Sequence, residues 1–200
     1  MTKLHNKYSL LLLILLSGCS FLILKTKAPV KKDFANEIFA KGIYQNKIIG
    51  LSLNFGEHWR AIIQAEKFPA DYAEFAEKIQ EQGGELLMIA EEMPEGVNSA
   101  QIIAEPTNIA LQEYFQLIKD LNKGDYVNSK HSTVLINQTS MIKWQYTTNS
   151  PEDEYVYLDY ILKQGKYNLR ISFWAYREMQ SALEKQADQI LKTLKLSATE

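Results

Sequence analysis

One cysteine, three histidines, five prolines and nine glycines among 200 residues leave little room for several kinds of chemistry. A single thiol can neither close a disulfide within the chain nor build a thiolate metal site, so stability has to come from a core. His5, His58 and His131 do not cluster, and there is no His-Glu-x-x-His pair, no Gly-x-Ser-x-Gly nucleophile turn and no glycine-rich phosphate loop. An excess of positive charge is missing too. Against 22 basic side chains stand 24 acidic ones, a net charge of −2, which argues against a nucleic-acid binder. No internal repeat or low-complexity tract interrupts the chain. What it has instead is an apolar content of 46%, sufficient for one core without staples.

The one long apolar stretch is at the front. Lys3 and Lys7 precede a run from Tyr8 to Leu16, and two small residues, Ser17 and Gly18, stand directly before Cys19. Basic residues, a short apolar segment and small residues before a cut are the parts of a secretory signal. The four residues Leu16-Ser17-Gly18-Cys19 resemble the lipobox of bacterial lipoproteins. The resemblance implies cleavage between Gly18 and Cys19, acylation of the Cys19 sulfur and a second acylation on its new amino group. An uncleaved signal anchor is the alternative, because Phe21-Leu22-Ile23-Leu24 continues the run. From Tyr8 to Leu24 there are 17 residues, at the lower edge of the roughly 17–25 that span a bilayer core, and Ser17 to Ser20 interrupts them.

Residues 1–18 are thus expected to be a signal peptide. Their loss removes two lysines and no acids, so 22 basic residues become 20 against 24 acidic, a mature net charge of −4. Residues 19–40 read as a lipidated cysteine and an extended tether. Lys25, Lys27, Lys31 and Lys32 surround Pro29 there, a composition with little to bury that suits either a plain spacer or an anionic membrane surface. Residues 41–197 are expected to form one domain.

That domain opens with a predicted hairpin. Ile43-Tyr44 and the alternating stretch Ile48 to Phe55 flank Gln45-Asn46-Lys47, and Arg60 to Ile63 extends an edge after Trp59. Tyr72, Phe75, Ala76 and Ile79 at helical spacing predict a first helix, stopped by Gly83-Gly84. Glu85 to Ala90 and Ala100 to Ala104 read as paired strands, with the acidic Glu91-Glu92-Met93-Pro94-Glu95-Gly96 between them as a solvated turn rather than a calcium loop. Thr107 is the expected N-cap of a second helix carrying Leu111, Tyr114, Phe115, Ile118 and Leu121. Strands follow at Ser132 to Ile136, Met141 to Thr147, Tyr155 to Leu162 and Tyr167 to Ala175. The last two are joined by Lys163-Gln164-Gly165-Lys166, where Gly165 can take a positive φ. A third helix carries Met179, Leu183, Ala187, Ile190, Leu191 and Leu194. Antiparallel strands with three helices packed on them define an α+β sandwich.

Two stretches are similar to the PsbP-like superfamily, which includes the photosystem extrinsic protein and DcrB-like bacterial envelope lipoproteins. They are Tyr44…Gly50-Leu51-Ser52-Leu53-x-Phe55…Trp59 and Gly165-Lys166-Tyr167-x-Leu169-x-Ile171-x-Phe173 running into Ile190-Leu191-x-Thr193-Leu194-Lys195-Leu196. Members often carry a proline shortly before the tryptophan, where this chain has Gly56-Glu57-His58. The resemblance implies an antiparallel sheet flanked by helices and a binding or assembly role at a membrane, with no transferable catalytic residue.

The residues themselves point the same way. No cofactor or metal site is expected. His58 beside Trp59 has no second ligand at metal-binding spacing, and the pair Asp153 and Asp159 has no motif to fix its geometry. Trp144, Tyr146, Tyr157 and Trp174 crowd into the strand-rich half as possible partner-binding aromatics, with packing into the core as the alternative. The expected function is a non-catalytic binding or assembly module, anchored to the membrane by its N-terminal lipid and serving an envelope protein partner or a small apolar ligand. An envelope enzyme of hydrolase type with an unrecognised site, and an inner-membrane signal-anchored protein, are the alternatives. Ser20 rather than an aspartate after Cys19 favours, by resemblance to Gram-negative sorting, the outer membrane with the domain facing the periplasm.

Overall fold

A computed structural model of the chain describes residues 37–63, 68–94, 98–148 and 155–198. Gly18, Cys19, the basic segment after them and Asp153 lie outside the described residues. Among the described residues the expected elements are present, within eleven strands and three α-helices.

The alternation around Leu51 and Leu53 builds a small sheet. Strands β1 (Glu37–Ala40), β2 (Ile43–Asn46) and β3 (Leu51–Asn54) form a meander that is completed by β11 (Lys195–Leu196), in the order β1-β2-β3-β11. Residues before 41 take part in this sheet: Ile38 pairs with Gln45 and Phe39 with Tyr44, which takes the end of the expected tether into it. A close backbone approach fixes the first turn. Gly42 has φ +73°, its carbonyl accepts from Phe55 N–H at 2.7 Å, and a Cβ placed on it would stand 2.0 Å from the Gly56 carbonyl oxygen. Gly42→Ala is expected to cost about 2 kcal/mol or more, from left-handed strain plus this clash. An unchanged urea midpoint would show the turn free to move.

The large sheet has seven strands, all antiparallel. Strands β4 (Trp59–Ile62), β5 (Glu85–Glu92), β6 (Asn98–Pro106), β7 (Tyr126–Ile136), β8 (Thr139–Thr148), β9 (Tyr155–Gln164) and β10 (Tyr167–Tyr176) lie in the order β4-β5-β6-β10-β9-β8-β7. Its hydrophobic runs are covered on both faces. On one side the small sheet and α3 (Gln180–Leu191) pack over Tyr160, Tyr167, Leu169, Ile171 and Phe173, with Leu183, Ala187 and Leu191 from the helix. Tyr160 Oη donates to Asp188 at 2.6 Å, tying that helix to the sheet. On the other side α1 (Ala70–Glu81) covers Leu86, Ile89 and Ile103, and α2 (Leu111–Leu121) covers Ile142, Trp144 and Ile161. A bulge between Leu86 and Met88 lets two consecutive residues, Leu87 and Met88, face the same core.

Two local expectations change. Thr107 does not cap α2: its hydroxyl accepts from Ile109 N–H at 3.1 Å, and the helix starts four residues later, after Ala110. Glu91 and Glu92 belong to β5 rather than to a solvated turn, because the Glu92 carboxylate is held at 2.6 Å by both Asn98 and Gln186. The β7–β8 turn places both Asn137 and Gln138 at positive φ, a primed turn matching the strand twist. Asn137 Nδ2 then donates to the carbonyls of Lys192 and Leu194 and clasps the end of α3. Gly165 takes the expected positive φ, at +55°.

Candidate functional site

Pairing registers set the residues of the α2-covered face in rows across the central strands. Tyr146, Tyr157 and Trp174 make one row; Trp144, Asp159, Ser172 and Gln101 the next; Ile142, Ile161, Arg170 and Ile103 the third; and Lys163, Asn168 and Glu105 the fourth. Because residues two apart on a strand share a face, Asn168, Arg170 and Ser172 all point toward the helix layer, where Asn168 and Ser172 are buried and Arg170 is half-buried. Asn168 is 0% and Ser172 3% exposed. The polar side of β10 is thus an interior, and every group on it needs a partner.

The four candidate aromatics do meet, but as core. Trp144, Tyr146, Tyr157 and Trp174 are only 2–6% exposed and pack with Tyr114, Phe115 and Ile118 of α2. Tyr146 stacks on Tyr157 with centroids 5.2 Å apart and planes at 10°, while Trp144 lies 4.3 Å from Tyr146 and meets Phe115 and Tyr126 edge-on. Trp144 Nε1 donates to Ser129 Oγ at 2.8 Å. An exposed aromatic surface for a partner is therefore absent at these positions, since α2 lies over the strands that carry them.

Charge sits in the middle of this layer. Asp159 is 1% exposed and receives a long hydrogen bond from Tyr146 Oη, 3.4 Å from Oδ2. Burial pushes its carboxyl above the usual range, opposed by the Arg170 guanidinium and by hydrogen bonds from Ser172 and Tyr146. For Arg170, burial acts to lower the guanidinium, but Asp159, Tyr114, Glu105 and Tyr146 outweigh it and hold it raised. The Tyr114 phenol from α2 is pushed well up, by burial first and then by the neighbouring Glu105 carboxylate. Two carboxylates, one guanidinium and a phenol thus connect α2 to β6, β9 and β10. Asp159 Oδ1 and Arg170 Nε are buried without a hydrogen-bond partner. At the start of α2, Lys163 Nζ donates to the carbonyls of Thr107 and Ile109, and burial lowers its ammonium pKa.

A narrow cleft opens where α2 ends. It is lined by Tyr126, Trp144, Tyr146, Thr148 and Arg170 of the sheet and by Asn122 and Asp125, which follow α2. Its lining combines aromatic rings with the Arg170 guanidinium, and the open space is about that of a single water molecule. Nothing else converges on it. His58 is exposed beside β4 at one edge of the large sheet, and His131 is exposed on β7 at the other, its ring 4.8 Å from Phe115. Among the described residues no group of three His, Cys, Asp or Glu side chains could hold a metal ion. Sequence reasoning missed Glu105, Tyr114 and Arg170. The available signal was the alternation of Asn168, Arg170 and Ser172 on a strand flanked by strands apolar on both faces.

No protein-family model matches the chain, and no curated protein does. Solved structures do. Cyanobacterial PsbP, CyanoP, from Synechocystis sp. PCC 6803 superposes with a TM-score of 0.54 at 9% identity, covering 80% of this chain and 95% of that one. The fold is PsbP-like. A second neighbour is LpqN, involved in cell envelope biogenesis of Mycobacterium tuberculosis, with a TM-score of 0.48, 10% identity, and coverage of 74% of this chain and 83% of its own. At such identities the likeness concerns the backbone, and the buried network of the PsbP-like domain is described from its own residues alone.

Proposed function

We propose that the chain is a lipid-anchored protein of the bacterial cell envelope whose PsbP-like domain works by binding or assembly at the membrane surface, without catalysing a reaction. The observation that carries this reading is Leu16-Ser17-Gly18-Cys19 placed a short distance before the first strand of the domain. From Cys19 to Glu37 the chain reaches at most about 60 Å, so an acylated Cys19 keeps the domain close to the bilayer. Two or three acyl chains suffice for stable attachment, since each buried methylene contributes about 0.8 kcal/mol. Among the described residues no helix is long and apolar enough to cross a membrane.

The absence of catalysis is supported by the enclosure of the ionisable groups. Asp159 sits beneath α2, Tyr114 is buried on the inner side of that helix, and the two described histidines occupy opposite edges of the sheet. The partner is an envelope protein or a small apolar ligand. Ser20 favours the outer membrane, with the domain in the periplasm.

The test is the intact mass of the N-terminal peptide from density-separated membranes, beside a Cys19→Ala variant. An acylated peptide starting at Cys19, together with mislocalisation of the variant, is the expected result. A lipid-free peptide starting near Met1, with membrane retention unchanged in the variant, would sink the proposal and leave a signal anchor.

A further inference from the structure

The small sheet has one face without a partner, and its composition differs from the rest of the molecule. Tyr44, Leu51 and Leu53 turn inward to the main core. The opposite face holds two rows fixed by the pairing: Ile38, Gln45, Ser52 and Lys195 across all four strands, then Ala40, Ile43 and Asn54. Ile38 is 48% and Ile43 36% exposed, two of the four large apolar side chains exposed among the described residues. Lys41 and Lys47 are exposed in the turns at the two ends of β2. No acidic residue belongs to these two rows; Glu37, paired with Asn46, falls in the alternate row of β1. In a chain of net charge −2, this is a segregated basic and apolar surface.

Resting on the lipid-anchor reading, we propose that this outer face of the four-stranded sheet is where the domain lies against an anionic phospholipid bilayer. Two observations select that occupant. Isoleucines among lysines, with no acid between them, combine shallow apolar burial with attraction to anionic headgroups. The chain outside the described residues also joins the domain at Glu37, on the edge strand of this same sheet, and brings Lys25, Lys27, Lys31 and Lys32 with it. The tether thus delivers this face, rather than α1 or α2 across the large sheet, to the bilayer. The aromatic cleft at the end of α2 is then left facing away from the lipid.

The experiment uses the full-length protein in lipid nanodiscs, with an environment-sensitive dye at Gln45→Cys on this face or at Glu77→Cys on α1. In phosphatidylglycerol, headgroup-borne quencher is expected to quench the Gln45 dye at least about threefold more than the Glu77 dye. Phosphatidylcholine, or the triple change Lys41→Glu, Lys47→Glu and Lys195→Glu, should reduce the docked fraction by about tenfold and remove the contrast. Equal water exposure of the two dyes in phosphatidylglycerol, or a contrast unmoved by the three reversals, overturns the proposal. The mass of the N-terminal peptide from the same discs separates the two readings. An acylated Cys19 with a water-exposed Gln45 dye overturns the surface alone. An unacylated chain with a quenched Gln45 dye overturns the anchor and supports the surface.

Discussion

Trp144→Ala is expected to lower the unfolding free energy by about 4 kcal/mol, the range for truncating a large aromatic in a core that cannot fully collapse around the hole. Trp144 is 2% exposed and is the junction of three elements: it meets Phe115 of α2, Tyr126 of β7 and Tyr146 on its own strand. Its loss removes the packing that holds α2 and the start of β7, and it strands Ser129 Oγ without its indole donor. For a domain of this size the change corresponds to a fall of roughly 10 °C in melting temperature. Urea unfolding followed by circular dichroism measures it. A loss below about 1 kcal/mol would mean that α2 is not seated by this layer.

Removing the guanidinium beneath α2 gives the second large effect, and it depends on pH. Arg170→Met leaves Asp159 buried without its compensating cation, at a cost of about 3 kcal/mol near neutrality. The sign with acid follows from linkage. Burial already raises the Asp159 pKa above its unfolded value, and Arg170 is the first influence opposing that rise, so the variant raises it further. A carboxyl whose folded pKa lies above the unfolded one takes up its proton in the folded state first. Its ionised form therefore costs stability above the folded pKa, and the cost fades as pH falls through it. The gap between variant and wild type should narrow from pH 7 to pH 5, and Asp159→Leu added to Arg170→Met should recover most of the loss. Urea midpoints at the two pH values decide it: a gap that stays constant or widens in acid would show that Arg170 does not act through Asp159.

The helices were legible because an apolar stripe at a period of 3.6 records one-sided burial. Phe75, Ala76 and Ile79, then Tyr114, Phe115 and Ile118, then Leu183, Ala187 and Ile190 are buried as spaced. The β9–β10 hairpin was legible from Gly165. Strand β1 was not, because Glu-Ile-Phe-Ala is too short to show alternation and is defined by pairing with β2. The membership of β3 in a separate sheet was hidden too, since its outer neighbour, β11, comes from the other end of the chain. At the site, Trp144 and Tyr146 announced themselves by size, while Arg170 looked like a surface residue. Alternation tells which residues share a face but not whether a helix from elsewhere will cover it, so a polar row under α2 reads the same as a polar row in water.

The strand order has a consequence for how the domain can assemble. In the large sheet β4, β5 and β6 form one block and β7, β8 and β9 another, and among the described strands the two are joined in hydrogen bonding by β10, which pairs with β6 on one side and β9 on the other. Until residues 167–176 are available, each block exposes a long unpaired edge, and neither the core against α3 nor the charge network of Arg170 exists. Folding therefore waits on a late strand and on contacts distant in sequence, which makes it slow compared with a helical domain. Strand β10 is thus the keystone of the sheet: both blocks precede it in the chain, and neither is closed along its inner edge until β10 pairs with both.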